Sequence, residues 1–280
     1  MIKDLLLPLV SYPKATPTGP IHEVVELAAH YGAHLNAVVT QVEVEPGPYF
    51  EGAEIGVFLE QANAMSHKQA SGLLQTVKSA AGEKGVSCDV RVEKAPFLET
   101  VNRLVEEARL FGLSVVPVRR DFDSDRQLAE RLIFGSGRPV LIAPGSTHKT
   151  EHATLDRIAI AWDGGKQAAR AIGDAMPLLQ RAAKVRIFTV EKDKKFESFR
   201  TGVDLAKHLG RYGIEPEIDA IEKADQQTIG DALKSYVSRH NIDLLVMGAY
   251  GHSRLREFVL GGATLGVLTD PPCWTLLSHG

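Results

Sequence analysis

The sequence predicts an α/β protein made of two tandem, doubly wound, parallel five-stranded sheets, and three observations carry that expectation. Apolar runs of strand length alternate with helical patterns along the chain. Strands separated by helices of a dozen or more residues must pair in parallel, through right-handed crossovers. The chain also repeats itself once. Gly85-Val86-Ser87-Cys88-Asp89-Val90-Arg91-Val92-Glu93-Lys94-Ala95 runs alongside Gly213-Ile214-Glu215-Pro216-Glu217-Ile218-Asp219-Ala220-Ile221-Glu222-Lys223-Ala224. Each stretch is followed by an amphipathic helix, a glycine or asparagine stop, and an apolar strand.

Taken in order, the first half offers strands at 4–10, 35–42, 87–92, 113–118 and 139–143, with helices at 21–31, 58–83, 97–111 and 126–134. The second half offers strands at 157–162, 184–190, 215–221, 242–247 and 273–278, with helices at 166–182, 196–211, 227–240 and 255–268. Leu244-Leu245-Val246-Met247 is apolar on both faces, as a strand covered by helices on both sides should be. The stretch 147–154 is polar, has no apolar period and lies at the midpoint, so it reads as a linker between domains at 1–146 and 154–280. The fifth strands, 139–143 and 273–277, would each leave an apolar sheet edge with unpaired backbone groups. The expectation is that the halves dock through these two edges as an internal pseudo-dimer.

Bulk properties agree with a soluble two-domain protein. The 280 residues are 44% hydrophobic and 24% charged, with a formal net charge of -3, so no basic field points to nucleic acid. Cys88 and Cys273 lie in different halves, which excludes a disulfide framework and a CxxC metal pair. The apolar run 5–10 is too short for a membrane span and lacks a signal-peptide cleavage site. A cytoplasmic location is expected.

The informative segment begins where the fourth strand of the second half ends. It runs Met247-Gly248-Ala249-Tyr250-Gly251-His252-Ser253-Arg254-Leu255-Arg256-Glu257-Phe258-Val259-Leu260-Gly261-Gly262-Ala263-Thr264. Glycines let a backbone approach an anion and aim N–H groups at it, and a helix N-terminus adds a favourable dipole. In an open α/β sheet, ligands bind outside the carboxyl ends of the strands, where this segment lies.

The spacing G-x2-G-x9-G followed by a small residue is similar to the nucleotide motif of the universal stress protein family. The resemblance covers both halves in fold order, but the motif stands only in the second. It implies that Gly248, Gly251, Gly261 and Gly262 wrap the phosphates of ATP, or of ADP or AMP, with or without Mg. The last of these positions usually carries Ser or Thr; here it is Gly262, and Thr264 is the nearby hydroxyl. By the same resemblance, Asp163 in Ala161-Trp162-Asp163-Gly164-Gly165 stands near ribose and adenine, and the backbone of Val190 reads adenine. Arg254 is a candidate for a secondary phosphate contact. Plainer readings stand beside these: glycines after a strand as turn punctuation, Asp163 as a helix N-cap, and Arg254 and His252 as surface residues.

The matching place in the first half reads Val116-Pro117-Val118-Arg119-Arg120-Asp121-Phe122-Asp123-Ser124-Asp125. It has no G-x2-G, its three aspartates would repel a triphosphate, and the first strand has no acid equivalent to Asp163. Gly135-Ser136-Gly137 reads as a plain helix-to-strand turn. The expected function is therefore an adenine-nucleotide module with a stress-signalling output. Slow ATP hydrolysis and a ligand- or partner-binding scaffold with a vestigial site stand as alternatives. No Walker motif or HxGH signature is present to indicate dedicated phosphoryl or nucleotidyl transfer.

Overall fold

The computed structural model describes residues 2–45, 53–145, 154–191, 202–222, 226–249 and 262–280. The first half runs β1 (Asp4–Val10), α1 (Thr18–Tyr31), β2 (His34–Val42), α2 (Ala53–Lys84), β3 (Cys88–Ala95), α3 (Phe97–Ala108), β4 (Leu113–Val118), α4 (Asp123–Gly135) and β5 (Val140–Pro144). The second runs β6 (Arg157–Ala161), α5 (Lys166–Leu179), β7 (Lys184–Glu191), α6 (Gly202–Gly210), β8 (Glu217–Glu222), α7 (Ile229–His240), β9 (Leu244–Gly248), α8 (Gly262–Thr269) and β10 (Trp274–Ser278).

Local chemistry sets these boundaries. α1 buries Ile21, Val24, Val25 and Ala28, the i, i+3, i+4, i+7 face of a helix, and stops at Gly32 with φ 61°. α7 opens on a reciprocal capping box between Thr228 and Asp231 and stops at Asn241 in the left-handed region. Ser136 donates its hydroxyl to the Leu132 carbonyl at 2.6 Å, and Gly137 turns the chain at φ 66°, which makes the 135–137 segment the helix-to-strand turn expected of it. The expected helices at 196–211 and 255–268 lie partly outside the described residues.

Each half has the same strand order, β3-β2-β1-β4-β5 and β8-β7-β6-β9-β10, parallel throughout. β5 and β10 then pair antiparallel, with Ile142 opposite Thr275, Leu141 opposite Leu276 and Val140 opposite Leu277. The two expected sheets are thus halves of one ten-stranded sheet. The ladder gives the apolar fifth strands the partners that an exposed edge lacks. It leaves as edges β3 and β8, which carry Arg91, Glu93 and Lys94 and Glu217 and Asp219, the kind of charge that discourages further pairing.

Two apolar layers cover the sheet. One is built from α1, α2, α5 and α6 against Leu5, Leu7, Leu9, Ile158, Ile160, Trp274 and Leu276. The other packs α3, α4, α7 and α8 against Leu6, Val116, Ile142, Ala159, Leu245 and Leu277. Among the described residues, no helix is long and apolar enough to cross a membrane.

Candidate functional site

In the second half the chain leaves β6 towards β7 and leaves β9 towards β10, so the connections diverge between β6 and β9. That divergence makes a crevice at the carboxyl ends of these strands, where Ala161 faces Met247 across the ladder. α5 begins just past β6 on one face of the sheet, and α8 leads back to β10 on the other. Neither helix has an acidic residue in its first turn, and the N-cap of α5 is Gly165, which offers no side-chain cap. The first-turn N–H groups of α5 therefore keep the partial positive charge that favours an anion.

The described site residues are distributed around this crevice. Asp163 is exposed, and its Oδ1 accepts the Gly165 N–H at 2.8 Å across a turn in which Gly164 has φ 72°. The N-cap position thus belongs to Gly165, with Asp163 tying the turn from two residues upstream. Val190 is half-buried near the end of β7. With Ala161 and Ile221 it forms a partly exposed apolar strip along the ends of β6, β7 and β8, and Ala263 at the start of α8 packs on the same layer. Met247 is buried in that core, so only its main chain is available to a ligand.

The two described motif glycines differ. A Cβ on Gly248 would lie 2.5 Å from the Ala168 nitrogen and 2.7 Å from the Gln167 carbonyl carbon, so this glycine lets α5 press against β9. A Cβ on Gly262, an exposed residue, would meet nothing within 4 Å among the described residues. Thr264 is only 2% exposed, with its side chain inside the protein. Gly251, Arg254 and Gly261 lie outside the described residues. Sequence reasoning placed the start of α5 at 166 but did not assign it to the site, and it missed the Ala161–Val190–Ile221 strip. The Asp163-Gly164-Gly165 turn just before a helical pattern was the available signal for the first.

The first half fills the same region from within. Arg119, at the carboxyl end of β4, is 8% exposed and makes a two-pronged ion pair with Asp125, Nε to Oδ2 at 2.7 Å and Nη2 to Oδ1 at 2.8 Å. Its Nη1 donates to the carbonyls of Lys14 and Ala15 at 3.0 Å, reaching from β4 to the loop after β1. The guanidinium carbon lies 3.6 Å from the centroid of the Phe122 ring, and Gly145 passes so closely that its Cβ would sit 2.7 Å from the Arg119 Cα. Of the three aspartates noted in the sequence, Asp125 is therefore internally neutralised, because a buried arginine satisfies it.

No family model matches the chain. A universal stress protein of Synechocystis sp. is 26% identical over 220 residues, covering 76% of this chain and 73% of that protein. The crystal structure of a universal stress protein from Archaeoglobus fulgidus superposes with a TM-score of 0.70 at 15% identity, covering 99% of this chain and 96% of the other. A protein from Pseudomonas aeruginosa superposes with a TM-score of 0.58 at 14% identity, over 99% and 93% of the two chains. These solved structures share the fold across both halves, and the Synechocystis relative shares sequence over three quarters of the chain. The chain is thus similar in sequence to a universal stress protein and shares the fold of a solved one.

Proposed function

We propose that the second half, residues 154–280, binds one adenine nucleotide, ATP or its ADP and AMP relatives, and that the first half, residues 1–146, does not. The carrying observation is the divergence between β6 and β9, where the glycine-led start of α5 lies beside an exposed carboxylate and a half-buried apolar strip. Phosphates suit the uncapped N–H groups, a planar base suits the strip, and Asp163 suits a ribose hydroxyl. Arg119 supports the silence of the first half, because its guanidinium spans the corresponding strand ends. The output of such a module is a change of conformation or partner rather than turnover.

A scaffold with a vestigial site is the second reading. It is favoured by Gly248, whose missing side chain makes room for α5 rather than for a ligand. Calorimetric titration of the full chain with ATP, ADP and AMP separates the two. The nucleotide reading expects saturable binding at one per chain. Asp163→Ala should weaken it roughly fivefold or more through a lost hydrogen bond of about 1 kcal/mol. Gly251→Val should weaken it by filling the space of a close phosphate approach. Absence of binding for all three nucleotides favours the scaffold, and two per chain refutes the silent first half.

A further inference from the structure

Ser278 and His279, at the carboxyl end of β10, reach back to the exit of β9. The ladder between these strands continues past Gly248, because the Ala249 N–H donates to the Ser278 carbonyl at 2.9 Å. The Ala249 carbonyl is held as well, by His279 Nδ1 at 3.2 Å. A carbonyl only accepts, so Nδ1 is the nitrogen that carries the proton, and in the neutral ring Nε2 is bare. Ala249 is buried, so both of its main-chain groups depend on these two partners rather than on water. The Ser278 hydroxyl donates to Asp174 Oδ2 at 2.9 Å, the oxygen that Arg170 Nε reaches at 2.8 Å, which ties the same stretch to α5.

The imidazole is oriented from the other half of the chain. The ring of Phe134, on α4, meets it edge to face, with centroids 4.9 Å apart and planes at 72°. β5 and β10 are antiparallel, which brings the end of α4, at the amino end of β5, to the carboxyl end of β10. The half-exposed Phe134 stands on a fixed frame, since Leu132 and Ile133 are buried and the Ser136 hydroxyl closes the helix on the Leu132 carbonyl. We infer that His279 is a positioning residue for the exit of β9, and that the first half, through Phe134, tunes how tightly the second half holds a nucleotide. Ala249 follows Gly248 at the candidate crevice, so fixing its N–H and carbonyl fixes the path by which the chain leaves the strand there. This tuning rests on the nucleotide reading of that crevice, whereas the positioning of Ala249 does not.

Calorimetric titration of full-chain variants with ATP tests the tuning. His279→Ala should weaken ATP about fivefold, the loss of one hydrogen bond to a buried acceptor. His279→Asn, whose amide can donate to the Ala249 carbonyl in place of Nδ1, should stay within about twofold of wild type. Phe134→Ala should weaken ATP about threefold, and should have no further effect in the His279→Ala background. Nitrogen NMR of the imidazole in the nucleotide-free chain should show Nδ1 protonated and Nε2 bare. A bare Nδ1, equal ATP affinities for wild type and His279→Ala, or a Phe134→Ala effect that persists without His279 would overturn the inference. Should His279→Ala fail to fold, an unchanged affinity in Phe134→Ala overturns it alone. A wild-type chain that binds no nucleotide refutes the nucleotide reading and the tuning with it. Hydrogen exchange then decides the positioning: the Ala249 N–H loses protection in His279→Ala or Phe134→Ala if it holds, and keeps it if it does not.

Discussion

Alanine at Gly248 asks whether the first glycine of the motif is there for α5 or for a ligand. The new Cβ would lie 2.5 Å from the Ala168 nitrogen, 2.7 Å from the Gln167 carbonyl carbon and 2.8 Å from the Gln167 Cβ. Comfortable carbon contacts begin near 3.5 Å, so strand and helix must separate by about 1 Å. Two of the three opposing atoms are backbone, which no rotamer change can move aside. Overpacking of this kind costs about 1–3 kcal/mol, and the upper end applies here. Alanine returns up to about 1 kcal/mol by stiffening the unfolded chain, leaving a net loss of about 2 kcal/mol. Both tryptophans, Trp162 and Trp274, lie in the second half, so their fluorescence in urea reports its unfolding. With a slope near 2 kcal/mol per molar, the midpoint should fall by about 1 M. An unchanged midpoint together with weakened ATP binding would refute the packing argument and assign Gly248 to ligand approach.

Two further outcomes follow from buried charges. Asp125→Ala strands the Arg119 guanidinium, 8% exposed, without its carboxylate, and should cost about 3–5 kcal/mol in thermal or chemical unfolding. Arg119→Met in the same chain should recover much of that loss, and a single variant within 1 kcal/mol of wild type would show that the pair is not needed. Burial, and then the neighbouring charge of Glu26, raise the Glu23 carboxyl from the ordinary 4.5 to about 7. The folded state therefore holds this proton more tightly than the unfolded one. Its contribution to stability is complete below about 4.5 and is lost as the pH rises through about 7. Glu23 is only half-buried, so solvent screening reduces the effect to about 1 kcal/mol. Glu23→Gln should flatten stability between pH 5 and pH 8, and parallel pH profiles for variant and wild type would refute the assignment.

The sequence by itself determined the elements and their order. β1 and β4 fall at the expected 4–10 and 113–118, and most other boundaries move by only a few residues, because apolar period, caps and left-handed stops act over a few neighbouring residues. It also placed Asp163 and Gly248 at the carboxyl ends of their strands, and the structure makes those strands neighbours. What a residue does there is a different matter. Gly248 is indistinguishable in sequence from a ligand-facing glycine; only its distance to Gln167 and Ala168 shows that α5 takes up the space. Asp125 reads in sequence as one of three aspartates that would repel a triphosphate, until folding pairs it with a buried Arg119 whose guanidinium reaches the carbonyls of Lys14 and Ala15, more than a hundred residues away. The contact between Phe134 and His279 exists only because β5 and β10 join two repeats into one sheet. Periodicity encodes which face of an element is apolar, but the partner of that face is chosen by packing across the whole chain, so the site's surroundings emerge only with the tertiary structure.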